Sequence, residues 1–247
     1  MSLTHSTGFN NFWFIEPDQK LRIHFDPGTR YSYSGEGFSL LQFAIEHGKR
    51  SQGLGIDVGD LTNATFARLG MTRTGLMWRP DFASNLADGW NDKGEPQPHD
   101  ERSNVRVAGS MDTTITDLSK FVAALVCGDG LSATSRKEMT KPQPKSPKRT
   151  NFRRWRRIFQ PHSNAKAFTR ALASSSLMDR KGMASSKVDI TSRLRTRSCA
   201  LRRASGANII LSNDVRAEAG FADLVKFILG DTGVPYDWEY GDYAGKS

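Results

Sequence analysis

Residues 27–46 read PGTRYSYSGEGFSLLQFAIE, and the reading of this stretch decides the fold. Pro27-Gly28 is a turn dipeptide. Tyr31 and Tyr33 then alternate with serines, as an extended segment does, up to Gly35. Beyond Gly35 the period changes. Phe38, Leu41 and Ile45 fall at i, i+3 and i+7, with Leu40 and Ala44 beside them. That spacing predicts an amphipathic helix over 35–46, with Gly48 as its stop. The junction puts the Tyr33 hydroxyl and the Ser34 backbone where polar groups can face a cleft. On chemistry alone a lone tyrosine there is more often a satisfied structural hydroxyl than a catalytic one.

Outward from this block, residues 1–140 have the grammar of a globular α/β chain. A short helix is expected over Thr62–Leu69, ended by Gly70. A stronger one is expected over Thr116–Val126, with Thr116 as cap, Leu118, Phe121, Val122 and Leu125 as apolar face, and Gly128 as stop. Trp78–Glu101 is rich in Pro, Asp, Gly and Asn and reads as a surface loop. Ala207–Ser212 (ANIILS) reads as a buried strand. Ala217–Leu229 reads as a helix with Phe221, Leu224, Val225 and Ile228 on one face.

Between these parts the composition breaks. Residues 141–206 hold 18 Lys+Arg against 2 Asp+Glu, a balance of +16 in a chain whose total is +9. The remainder is therefore acidic, at −7. The segment shows no sustained period of 2 or 3.6, so it is expected to be poorly ordered. Hydrophobic content is 37% and mean hydropathy −0.52, both lowered by this segment. No run of 18 apolar residues exists, which argues against a membrane span, and MSLTHSTGFNNFWF lacks the pattern of a signal peptide. Cys127 and Cys199 lack CxxC spacing, and the five histidines (His5, His24, His47, His99 and His162) lack metal-ligand spacing. No metal or cofactor is expected. Gly53-Leu54-Gly55 is no phosphate loop, because no Lys-Ser/Thr follows.

LTHSTGF at 3–9 together with the 27–46 block resembles the serine beta-lactamase and penicillin-binding-protein superfamily, most closely class C beta-lactamases and related esterases. AGSMDTTITDLSKFVAALV at 108–126 is similar to that family's later helix entry, and NIILSND to its last core strand. About 180 of the 247 residues take part. The resemblance implies an α/β (α+β) fold of beta-lactamase/transpeptidase-like type, an antiparallel sheet flanked by helices plus a helical subdomain, here incomplete. It implies a serine acyl-enzyme that hydrolyses a small-molecule ester, amide or beta-lactam. Such chemistry uses S-x-x-K, Y-x-N and K-T-G clusters. Tyr33-Ser34-Gly35 matches the second. Tyr33 would then be the proton-handling phenol, Ser34 its catalytic neighbour, and Gly35 the substrate-binding position, without the amide the family carries there. That loss favours ester or peptide substrates over beta-lactams.

In the family S-x-x-K precedes the LTHTSG-like segment, whereas this chain starts at that segment. The nucleophile-bearing element is therefore expected to be missing. The S-x-x-K match here, Ser163-Asn164-Ala165-Lys166, follows the tyrosine and lies in the basic segment. K-T-G is absent before NIILSND. A displaced reading frame over roughly 145–206 accounts for both the basic composition and that absence. With the frame moved by one base, Met178-Asp179 and Met183-Ala184 each force a glycine codon. With permitted codons, Leu172 to Thr191 can then read AGVVVVDGPQGHGFFKGGHN, two strands joined by a Gly/Pro turn and ending in K-G-G. On this reading the chain comprises residues 1–140 and 207–247 of one domain around an aberrant 141–206, and it is inactive. The competing reading is a non-catalytic protein or one that binds nucleic acid through RRWRRIF, where guanidiniums meet phosphates and a Trp stacks. Such an arm would have to interrupt a hydrolase between its last helix and last strand.

Overall fold

Helix α1 (Gly35–His47) begins at the change of period, one residue after Ser34. The computed structural model describes residues 1–29, 32–48, 54–139, 189–192 and 207–230. Two compact units emerge, and their described parts are residues 1–58 with 106–108 and residues 59–105 with 109–139, 189–192 and 207–230.

In the first unit, short 3-10 turns at Ser2–Thr4 and Trp13–Ile15 lie in the chain that leads to α1. An antiparallel bridge joins Phe9 to Ile23. Gly8 sits at φ 88°, and a β-carbon there would come within 2.5 Å of the Phe25 carbonyl, so only glycine lets these segments approach. Helix α1 stops where expected, with the Gly48 N–H donating to the Ala44 carbonyl at 3.0 Å. Its apolar face departs from expectation. Leu40, Phe43 and Ile45 are exposed, and the fully buried positions of the helix are Gly35 and Gly37 at its first turn. Among the described residues of α1, burial is thus concentrated at the helix entry.

In the second unit the core is apolar and built on helices. Helix α2 (Val58–Arg68) starts four residues earlier than the sequence pattern placed it and takes its first residue from the first unit. Phe66, Met71 and Leu76 form one buried cluster, flanked by Leu69, Val105, Met111 and Phe121. Helix α3 (Ile115–Cys127) buries Leu118 and Val122 against Met111, Phe121, Val126, Ile209 and Leu211. Its cap is Thr114 rather than Thr116, because the Thr114 hydroxyl accepts the Asp117 N–H at 3.2 Å. Gly128 closes it in the left-handed region, φ 69°, as a glycine stop should. Helix α4 (Ala133–Met139) follows.

The Pro-rich loop contains a 3-10 turn at Pro80–Asn85 and a two-residue antiparallel pair, β1 (Gly89–Trp90) with β2 (Pro96–Gln97). Strand β3 (Asp189–Ser192) pairs antiparallel with β4 (Ala207–Ile210), with Ile190 opposite Ile209. Apart from β3, the basic stretch and the order expected of it lie outside the described residues. The expected helix over Ala217–Leu229 is a 3-10 turn at Val215–Gly220 followed by α5 (Phe221–Leu229). Phe221 and Val225 are buried, whereas Leu224 and Ile228, expected on the same face, are exposed.

Candidate functional site

The entry to α1 is a network of short-range polar contacts around Ser34. Ser34 is extended, with φ −146°, and its Oγ accepts the Gly37 N–H at 2.9 Å. That is an N-cap, satisfying one of the amides a helix start leaves without an intrahelical partner. The same hydroxyl donates to the Asn10 carbonyl at 2.9 Å. Ser34 is 1% exposed, so its hydroxyl is committed to structure on both sides. The next two amides are taken by one residue: the Gly35 N–H donates to Asn11 Oδ1 at 2.7 Å and the Glu36 N–H to the Asn11 carbonyl at 3.2 Å. Glu36 returns the contact, its Oε1 accepting the Trp13 N–H at 3.1 Å.

Tyr33 precedes this cap and is half-buried. Its ring stacks on the His5 imidazole with centroids 4.3 Å apart and planes inclined by 29°. His5 Nδ1 accepts the Ser34 N–H at 3.1 Å, and its ring also meets Phe38 at 5.1 Å. An acceptor at Nδ1 means that the neutral ring carries its proton on Nε2. Below this layer Glu16, 6% exposed, binds both the Asn10 amide and His24 Nε2, the latter at 2.5 Å.

All three predicted site residues, Tyr33, Ser34 and Gly35, therefore stand together at one helix entry. Tyr31 lies outside the described residues. The sequence reading left out His5 and Asn11. His5 sits inside LTHSTGF and shows no metal-ligand spacing, so its sequence context alone does not single it out. Asn11 carries no signal in sequence, since its partner is 24 residues away.

Two further polar groups stand in the second unit. Asp117 is buried and accepts the Arg73 N–H at 2.7 Å, the Thr74 hydroxyl at 3.1 Å and the Lys120 ammonium at 2.9 Å. Burial alone would push its carboxyl up; the Lys120, Arg73 and Thr74 donors outweigh burial and hold it below the ordinary value. Asp112 is raised, first by burial, with His99 and Arg102 opposing. Among the described residues no three His, Cys, Asp or Glu side chains converge as a metal site, and no helix is long and apolar enough to cross a membrane.

A tyrosine fixed at a helix entry by a buried serine cap, inside LTHSTGF and PGTRYSYSGEGF, now meets the known proteins. The sequence pattern of the Beta-lactamase family matches residues 3–183, well over half the chain. The human protein beta-lactamase-like 1 is 36% identical over 107 residues, 42% of this chain and 20% of that one. Among solved structures, a class C beta-lactamase is 24% identical with a TM-score of 0.44, covering 57% of this chain and 41% of its own. A penicillin-binding protein from Bacillus halodurans is 22% identical with a TM-score of 0.43, covering 57% and 49% respectively. The chain thus spans less than half the length of these relatives. The match through both motif segments and on past α3 carries the assignment: the chain belongs to the beta-lactamase family, with its beta-lactamase/transpeptidase-like fold represented in part.

Proposed function

We propose that this chain bears the tyrosine cluster of a serine acyl-transfer site, with Tyr33 as the proton-handling phenol. The observation that carries this reading is the locked junction in a beta-lactamase family chain: Tyr33 stacked on His5, one residue before a helix whose first amides are held by Ser34 and Asn11. In the complete site a serine hydroxyl attacks the acyl carbon of an ester, amide or beta-lactam. The phenol takes the serine proton as the bond forms and returns it to the leaving group, and water then releases the acyl group. Gly35 offers no side-chain amide to a substrate, which supports an ester or peptide-like substrate over a beta-lactam.

The 247 residues do not complete that site. Their S-x-x-K match, Ser163–Lys166, follows the tyrosine and lies outside the described residues. Losing the nucleophile costs several orders of magnitude in rate, so this chain alone is inactive. A displaced frame over roughly 145–206 accounts for the missing K-T-G, with 1–140 and 207–247 as parts of one domain. In support, Ile209 and Leu211 pack on Leu118 and Val122 of α3, and β3, which begins where the displaced frame's K-G-G ends, pairs antiparallel with β4.

Two measurements test this. Intact-mass analysis after incubation with a fluorophosphonate or a penicillin should show no adduct, and a stoichiometric one would overturn the inactivity. The coding DNA should read through 145–206 in the neighbouring frame, with K-G-G before NIILSND; stop codons there would sink the frame hypothesis. Salt-dependent nucleic-acid binding that is abolished by deleting 141–206 would favour the basic-arm reading instead.

A further inference from the structure

His5 is held more tightly than a bystander ring requires. Its backbone lies in the left-handed region, φ 50° and ψ 43°, an uncommon conformation for a residue other than glycine. Its N–H donates to the Ser2 carbonyl at 3.1 Å and its carbonyl accepts the Ser32 N–H at 2.8 Å, so hydrogen bonds fix the residue on both sides. From that anchor one face of the imidazole covers Tyr33, and Nδ1 takes the amide of the very next residue. One side chain thus meets both the Tyr33 ring and the amide of the peptide that follows it.

We propose that His5 is a positioning residue for Tyr33, which in its neutral form fixes the phenol through the stack and the Ser34 amide and releases it when protonated. An imidazolium has no lone pair on Nδ1, so protonation converts the acceptor of the Ser34 N–H into a competing donor. The stack then keeps its ring while losing the bond that orients the peptide. Phe38 also meets the imidazole, with ring centroids 5.1 Å apart and planes inclined by 45°. Among the described residues, titratable groups of this neighbourhood include Tyr33, Glu36 on α1, Glu16 and His24 next to Asn10, and the α-amino group of Met1. The functional meaning rests on Tyr33 as the proton-handling phenol; the contact itself does not, and the test reads the contact.

The full 247-residue chain, labelled with 13C at tyrosine Cζ and with 15N, supplies that test. It has five tyrosines, and Tyr33→Phe identifies the resonance of Tyr33. In the wild type the Tyr33 resonance and the Ser34 amide cross-peak should move together, with one shared midpoint in the range where histidines titrate. His5→Phe keeps an aromatic ring against Tyr33 and removes the acceptor, so both steps should vanish. His24→Gln should leave both in place. A flat wild-type trace, which needs no variant to fold, overturns the proposal. So does a Tyr33 step without a Ser34 step, a step that survives His5→Phe, or one lost in His24→Gln. Failure of acylation chemistry in any form of this protein would leave these resonances unaffected, so the two readings fail separately.

Discussion

Asn11 Oδ1 stands 3.0 Å from the point where a β-carbon on Gly35 would lie, and the Asn11 carbonyl oxygen stands 3.1 Å from it. The same two atoms accept the Gly35 and Glu36 amides. Asn11 is 3% exposed and has little room to retreat. Alanine is the better helix former by about 1 kcal/mol, but here it would press into a filled space. Gly35→Ala should therefore destabilise the protein by about 1–2 kcal/mol in urea denaturation, and Gly35→Asn by more. Asn11→Ala combined with Gly35→Ala should cost less than the sum of the two. Additive costs would show that the two positions do not compete for space.

Ser34→Ala removes the acceptor for the Gly37 N–H and leaves the Asn10 carbonyl without its hydroxyl donor. Losing an N-cap costs about 1 kcal/mol, and a buried carbonyl left without a donor adds to it. The expected loss is about 1–2 kcal/mol, measured by chemical denaturation. Ser34→Thr keeps the hydroxyl and should recover part of it. A silent Ser34→Ala would mean that the cap seen at this junction carries no stability.

These contacts mark how much of the protein is written locally. The α1 start, the Gly128 stop and the Leu118/Val122 face follow from spacing alone, because each depends on neighbours within a turn or two. The cap of α3 lies two residues before the expected Thr116 because Thr114 and Thr116 both carry competent oxygens, and the choice between them rests on which amide each reaches. Leu40, Ile45, Leu224 and Ile228 have the period of buried residues and are exposed; the period says which residues share a face, not whether anything covers that face. In the site, Tyr33, Ser34 and Gly35 were legible because they are contiguous. His5 and Asn11 were not, because they meet those residues only across 29 and 24 positions of chain.

The Asp117 carboxylate ties the start of α3 to Arg73 and Thr74. Asp117→Asn removes the charge that Lys120 meets at 2.9 Å and one acceptor oxygen. Hydrogen bonds to a buried charge are worth about 1.5–3 kcal/mol, so a loss of about 2–3 kcal/mol is expected at neutral pH. The carboxyl is held below its ordinary value in the folded protein. Its contribution is therefore present above the unfolded value, about 3.9, and is lost as pH falls through the folded one. The stability gap between wild type and Asp117→Asn should close on acidification, and a gap constant with pH would contradict the charged role.

Asp112 should behave in the opposite sense. Its backbone exchanges two hydrogen bonds with Gly75, at 3.0 and 2.9 Å, which holds its side chain beside His99. His99 Nε2 is 3.3 Å from Asp112 Oδ1, and it lowers the carboxyl by less than burial raises it. Burial raises the carboxyl despite His99 and Arg102. A raised value in the folded state means that the folded protein holds the proton more tightly than the unfolded chain. The stabilisation is then present below the unfolded value and is lost as pH rises through the folded one. Asp112→Asn keeps the shape and cannot ionise, so it should match or exceed the wild-type melting temperature at pH 7. Its advantage should shrink as pH falls into the carboxylate range. Should Asp112→Asn melt below the wild type at pH 7, with the deficit closing in acid, the His99–Asp112 contact would instead be a stabilising ion pair.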